Sequence, residues 1–76
     1  MVLQKVTQMI AKEFNLDIST LNRETRLEED LSIDSLDAVE LVMGLEDTFN
    51  VAISDLEAQG LKTVGQIADF VAAKIG

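Results

Sequence analysis

In three segments of this chain the apolar residues recur at steps of three and four, and no segment alternates apolar with polar. That period belongs to helices that bury one face, and its absence elsewhere leaves no strand pattern from which to build a sheet. Leu3, Val6, Ile10 and Phe14 make the first stripe, with Asn15 as its stop. The second runs from Ala38 to Phe49, and the third comprises Val64, Ile67, Ala68, Val71 and Ile75. Thr63 followed by Gln66 is a capping-box pattern at the start of the last helix, and Ser54 followed by Glu57 is another before a short helix ended by Gly60. The expectation is an all-α, four-helix bundle with a long first loop, 16–33, and a short third helix, 54–59. Along that loop Leu16, Ile18, Leu21, Leu27, Leu31 and Ile33 would plug the core, with a helical turn at Ser19–Asn22. Val51, Ile53, Leu56 and Leu61 would face the core as well.

Composition sets what can hold such a bundle together. The 76 residues allow one domain, 1–76, and 47% of them are hydrophobic, enough for a core. There is no Cys and no His, so disulfides, thiolate–metal sites and the commonest general base are all excluded. Packed aliphatic side chains must supply the stability. No apolar leader or membrane span is visible, and the expectation is a cytoplasmic protein without stable membrane association.

Charge narrows the partners. The net charge is −8, and ten acids lie between Glu28 and Glu57, while no Lys or Arg stands between Arg26 and Lys62. Such a surface repels nucleic acid and anionic lipid and attracts basic proteins. Stepping about 100° per residue from Leu36 divides the second stripe into two faces. Ala38, Leu41, Val42, Leu45 and Phe49 form a core face, and Leu36, Val39 and Met43 lie nearly opposite. Glu40 and Asp47 border that second strip on one side and Glu46 on the other. An apolar strip with an acidic rim suits docking of a basic partner. It also suits packing beneath another segment of the chain. Gly44 weakens this helix by about 1 kcal/mol relative to Ala, a cost explained if another segment comes close.

Ser35 stands where the loop turns into this helix, between Asp34 and Asp37. It has no base to make it a nucleophile: there is no His, and Arg26 and Lys62 are remote in sequence. A chain this small is expected to lack a cleft of several hundred Å³ beside its core. The acids lack the spacing of a calcium loop, so no metal site is assigned. From its neighbours alone Ser35 reads as a helix-start residue, with Asp34 as cap and Asp37 completing a capping box.

The run Asp34-Ser35-Leu36-Asp37-Ala38-Val39-Glu40-Leu41-Val42-Met43 resembles the attachment motif of the acyl carrier proteins. The match extends to Leu27–Leu31, to Leu45–Phe49 and to Thr63-Val64, and so covers nearly the whole chain. The resemblance implies a free-standing carrier of the fatty-acid-synthesis type, not an enzyme. Ser35 would be modified by a phosphopantetheinyl transferase, using coenzyme A and magnesium. The product is a 4'-phosphopantetheine arm on a phosphodiester, with acyl groups held as thioesters on its thiol. A chain without Cys must borrow that sulfur, and a serine without a base must be activated by another enzyme. The resemblance further implies that Asp34, Leu36, Asp37, Val39, Glu40, Met43, Glu46 and Asp47 bind partners, namely the transferase and fatty acid synthesis enzymes with basic surfaces, the carrier being a monomer. Val42, Leu45, Ile53, Leu61 and Ile67 would line an acyl-chain cavity. Two departures stand out: Ser32 replaces a frequent glycine, expected to alter loop flexibility, and Ser54 replaces a frequent proline, expected to alter rigidity. A polyketide or specialised lipid carrier would share Ser35, and an unmodified acidic interaction module would share only the surface.

Overall fold

Four helices form the bundle in the computed structural model, which describes residues 2–75. They are α1 (Val2–Glu13), α3 (Ser35–Phe49), α4 (Asp55–Gln59) and α5 (Val64–Ile75). The helical turn expected at Ser19–Asn22 is a 3-10 turn at Ile18–Thr20, and a fifth helix, α2 (Leu27–Leu31), interrupts the remainder of the long connection, which was expected to be irregular. The five residues of α2 include three successive acids and only two apolar residues, too short a stretch for a helical period to register. Tertiary packing sustains it: Leu27 and Ile33 are buried, and the Ile33 amide donates to the Leu27 carbonyl at 3.1 Å.

The core is aliphatic. Val6, Ile10, Leu45, Val64, Ile67 and Val71 are its largest fully enclosed side chains. α1 packs most extensively on α5 and also against α3. Asn15 ends α1 as expected, in the left-handed region at φ 55°, and the Leu16 amide closes the helix on the Ala11 carbonyl at 2.8 Å. Both capping boxes form. Ser54 and Glu57 exchange side chain-to-backbone bonds, and so do Thr63 and Gln66. The Ser54 amide donates to Glu57 at 3.0 Å, a bond the family's frequent proline could not make. Gly60 does follow α4, in right-handed geometry at φ −85°.

The long connection is tied to the start of α5. Leu27 donates to the Lys62 carbonyl, Val64 to that of Thr25 and Gly65 to that of Arg23, each at 3.0 Å. Leu21, Leu27 and Ile33 plug the core, and Leu16 and Leu31 lie half-buried, but Ile18 remains exposed. Leu56 was expected in the core and is instead 79% exposed; Ile75 is also largely exposed. A helix as short as α4 can turn any face outward, so spacing alone does not set its buried side. Ser32 closes α2 at φ 56°. The family's frequent glycine is thus explained by a left-handed conformation that a serine adopts with strain, and not simply by loop flexibility.

Candidate functional site

Ser35 is the first residue of α3 and is exposed. The cap belongs to its neighbour: the Asp34 carboxylate accepts the Asp37 amide at 2.9 Å. Only that half of the expected capping box forms, since Asp37 carries the short carboxylate where a box uses Glu or Gln. Among the described residues no hydrogen bond engages the Ser35 hydroxyl, and no cationic or imidazole group stands by to activate it. The site therefore offers an accessible hydroxyl that cannot attack on its own.

The far face of α3 is open. Leu36 is 76% exposed, Val39 56% and Met43 59%. This strip is not covered by the long connection or by the short helix α4, which was the other possibility that the spacing left. Asp34, Glu40 and Asp47 are exposed around it, and Asp37 is half-buried. Among the described residues none of these four acids forms an ion pair. Arg26 pairs with Glu29 and Asp30, Arg23 with Asp69, and Lys74 with Glu57. The Arg26 guanidinium and amide hold the Asp30 carboxyl below its ordinary range, and Asp30 in turn raises Arg26. Hydrogen bonds from Ser19 do the same for Asp17.

Glu46 departs from the expected rim. It is half-buried, and its Oε2 accepts the Ile53 amide at 3.0 Å. Its carboxylate is turned along the α3–α4 connection and not simply outward to a partner. A hint lay in the position of Asn50 as the helix stop, which places Glu46 in the last turn, where the chain folds back.

Behind Ser35 a groove of about 510 Å³ opens into the bundle. The expectation that so small a chain has no room for a cleft is therefore corrected. The physical reason is α4, whose five residues include none that is buried and cannot seal the space between α3 and α5. Val42, Leu45, Ile53, Leu61 and Ile67, the five residues expected there, all line the groove. Leu45 and Ile67 are fully enclosed, and Val42 and Leu61 are half-buried. Ser35, Val39 and Met43 join the lining, so the open strip of α3 is continuous with the groove. Sequence reasoning missed the wall contributed by α4, namely Asp55, Ala58 and Gln59, because their side depends on where α4 sits. Among the described residues no cluster of carboxylates is placed to hold a metal ion.

Comparison with known proteins places the arrangement. Residues 4–71 match the family model described as a phosphopantetheine attachment site. An acyl carrier protein of Onion yellows phytoplasma (strain OY-M) is 48% identical over 71 residues, 93% of each chain. One from Prochlorococcus marinus (strain MIT 9515) is 39% identical over 75 residues, covering 99% of this chain and 94% of that one. The solved acyl carrier protein of Enterococcus faecalis superposes with a TM-score of 0.82 at 34% identity, over 96% of this chain and 92% of that one. A putative acyl carrier protein from Anaplasma phagocytophilum superposes with a TM-score of 0.89 at 35% identity, over 99% and 89% of the two chains. With its helical bundle, its attachment-site match and these relatives, the chain belongs to the acyl carrier proteins, which hold 4'-phosphopantetheine covalently and are carriers, not enzymes.

Proposed function

We propose that Ser35 bears the phosphopantetheine arm and that the chain delivers acyl intermediates to the enzymes of fatty acid synthesis. The observation that carries this is the exposed Ser35 hydroxyl, free of hydrogen bonds among the described residues, at the mouth of a groove lined mainly by aliphatic side chains. The arm supplies the thiol on which acyl groups are exchanged. A transferase would have to deprotonate Ser35 Oγ, which then attacks the pantetheine-bearing phosphorus of the coenzyme A pyrophosphate and displaces adenosine 3',5'-bisphosphate. The new phosphodiester lies by the first turn of α3, where free amides favour an anion and the Asp34 and Asp37 carboxylates oppose it.

The groove supports a saturated cargo. Burying an acyl chain against Val42, Leu45, Ile53, Leu61 and Ile67 removes apolar surface from water, worth roughly 0.8 kcal/mol per methylene. A polyketide chain would bring carbonyls that need donors, and of the side chains lining the groove only Ser35 and Gln59 carry donors, the rest being apolar or carboxylates. Partners dock on Leu36, Val39 and Met43 and are steered by Asp34, Asp37, Glu40 and Asp47. The carrier works as a monomeric domain in the cytoplasm, visiting basic surfaces in turn.

Incubation with coenzyme A, magnesium and a broadly acting phosphopantetheinyl transferase tests this reading. Mass spectrometry should show a single phosphopantetheine added to the protein and none added to Ser35→Ala. No gain on the unaltered protein would leave an acidic interaction module. Acyl groups found on the protein from its native cell report the pathway: saturated chains support fatty acid synthesis, and oxygenated chains overturn it.

A further inference from the structure

Three backbone amides of the α3–α4 connection converge on one residue. The Glu46 carbonyl accepts the amides of Asn50 and Val51, the latter at 3.2 Å, and the Glu46 carboxylate accepts that of Ile53 at 3.0 Å. Asn50 is left-handed at φ 53°, so the chain reverses there, and the carboxylate then takes up the amide three residues further on. Among the described residues this is the only side-chain hydrogen bond from α3 to the segment leading into α4. Ile53 is buried and lines the groove, as does Glu46, and Ser54 then caps α4. α4 has no fully buried residue: Ala58 lies half-buried against the core and Glu57 pairs with Lys74 of α5, while on the α3 side its entry is held by the connection that Glu46 organises.

We propose that Glu46 is a positioning residue for the cargo: through the Ile53 amide it sets the wall of the groove, and with it the acyl chain length the groove accommodates best. The inference rests on the reading that the groove holds the acyl chain. It separates Glu46 from the acids that steer partners. What matters at Glu46 is reach to the Ile53 amide, whereas at a steering position it is charge.

Two variants split reach from charge. Glu46→Gln keeps an acceptor at the same length without the charge, and Glu46→Asp keeps the charge but falls short of the amide. Each is loaded with the arm alone and with saturated acyl chains of increasing length, using acyl-coenzyme A and a transferase. Thermal unfolding then gives the chain length that stabilises most. Hydrogen exchange of the Ile53 amide is read on the unmodified proteins. The Gln variant should keep the optimum of the unaltered protein. The Asp variant should move or flatten it, and its Ile53 amide should exchange roughly tenfold faster, as expected when a local tie is lost. A shift in Gln without one in Asp makes charge the determinant and overturns the proposal. So does an unchanged optimum in Asp while Ile53 exchange accelerates, which leaves the groove reading standing. If no chain stabilises the unaltered protein beyond the arm alone, the groove reading fails and takes this inference with it.

Discussion

Gly65 and Arg23 meet backbone to backbone, the Gly65 amide donating to the Arg23 carbonyl at 3.0 Å. A Cβ on Gly65 would lie 2.9 Å from that oxygen, closer than real contacts allow. Gly44 differs: a Cβ there would sit 3.5 Å from the Met9 terminal methyl, an ordinary contact. Gly65→Ala is therefore expected to destabilise by about 1–3 kcal/mol through overpacking. Gly44→Ala is expected to stabilise by about 0.5–1 kcal/mol through helix propensity. Urea unfolding midpoints check both, and equal effects would mean that the connection yields at Gly65.

The two faces of α3 should separate in stability. Leu45 is fully enclosed and Met43 mostly exposed. Leu45→Ala is expected to cost about 2–5 kcal/mol. Met43→Ala should stay within about 0.5 kcal/mol. A large loss at Met43 in denaturant unfolding would show that its strip is structural and not a docking surface.

Glu40 is exposed and unpaired among the described residues, so its reversal tests steering without disturbing the fold. Glu40→Lys is expected to slow association with the transferase by about two- to tenfold, and added salt should slow the unaltered protein similarly. Stopped-flow association rates over a salt series measure both. Glu46→Lys is a poorer test, because it also removes the acceptor of the Ile53 amide.

Glu57 links two helices and should add acid sensitivity. Its carboxylate accepts the Ser54 amide and pairs with Lys74 of α5 at 3.2 Å, and these contacts hold its pKa below the ordinary 4.5. Because the folded value is the lower one, the unfolded chain binds the proton more readily. The stabilisation is fully present above about pH 4.5 and is lost as pH falls through the folded value. Asp30, lowered from 3.8 by Arg26, acts in the same direction at slightly lower pH. Glu57→Gln should therefore flatten the acid limb of stability relative to the unaltered protein, as read by urea midpoints from neutral to acid pH.

Much of the bundle could be read from local patterns. The stripes of α1, α3 and α5 appeared with their period, and the Ser54–Glu57 and Thr63–Gln66 boxes formed at the positions read for them. A stripe spans several turns and a cap spans four residues, so both are written within one short window. α2 escaped because five residues hold little more than one turn. Leu56 was misplaced for the related reason that a five-residue helix does not declare its buried side. At the site, the second strip of Leu36, Val39 and Met43 followed from the helical angle, and the structure shows that it is exposed and not packed beneath another segment. Glu46 did not follow, because the spacing that put it on a charged rim says nothing about an amide seven residues away.

By itself the sequence determined that helices would form, that Ser35 would begin one without a base to activate it, and that its helix would carry two apolar faces. These depend on residue types and on spacings of four or fewer along one chain segment. Only the tertiary structure decided that one face stays open, that a groove runs in behind Ser35, and that Glu46 turns toward Ile53. Those features depend on where α4 and the long connection come to rest against α3 and α5. Packing and backbone bonds between residues tens of positions apart set that placement, and no local period encodes it.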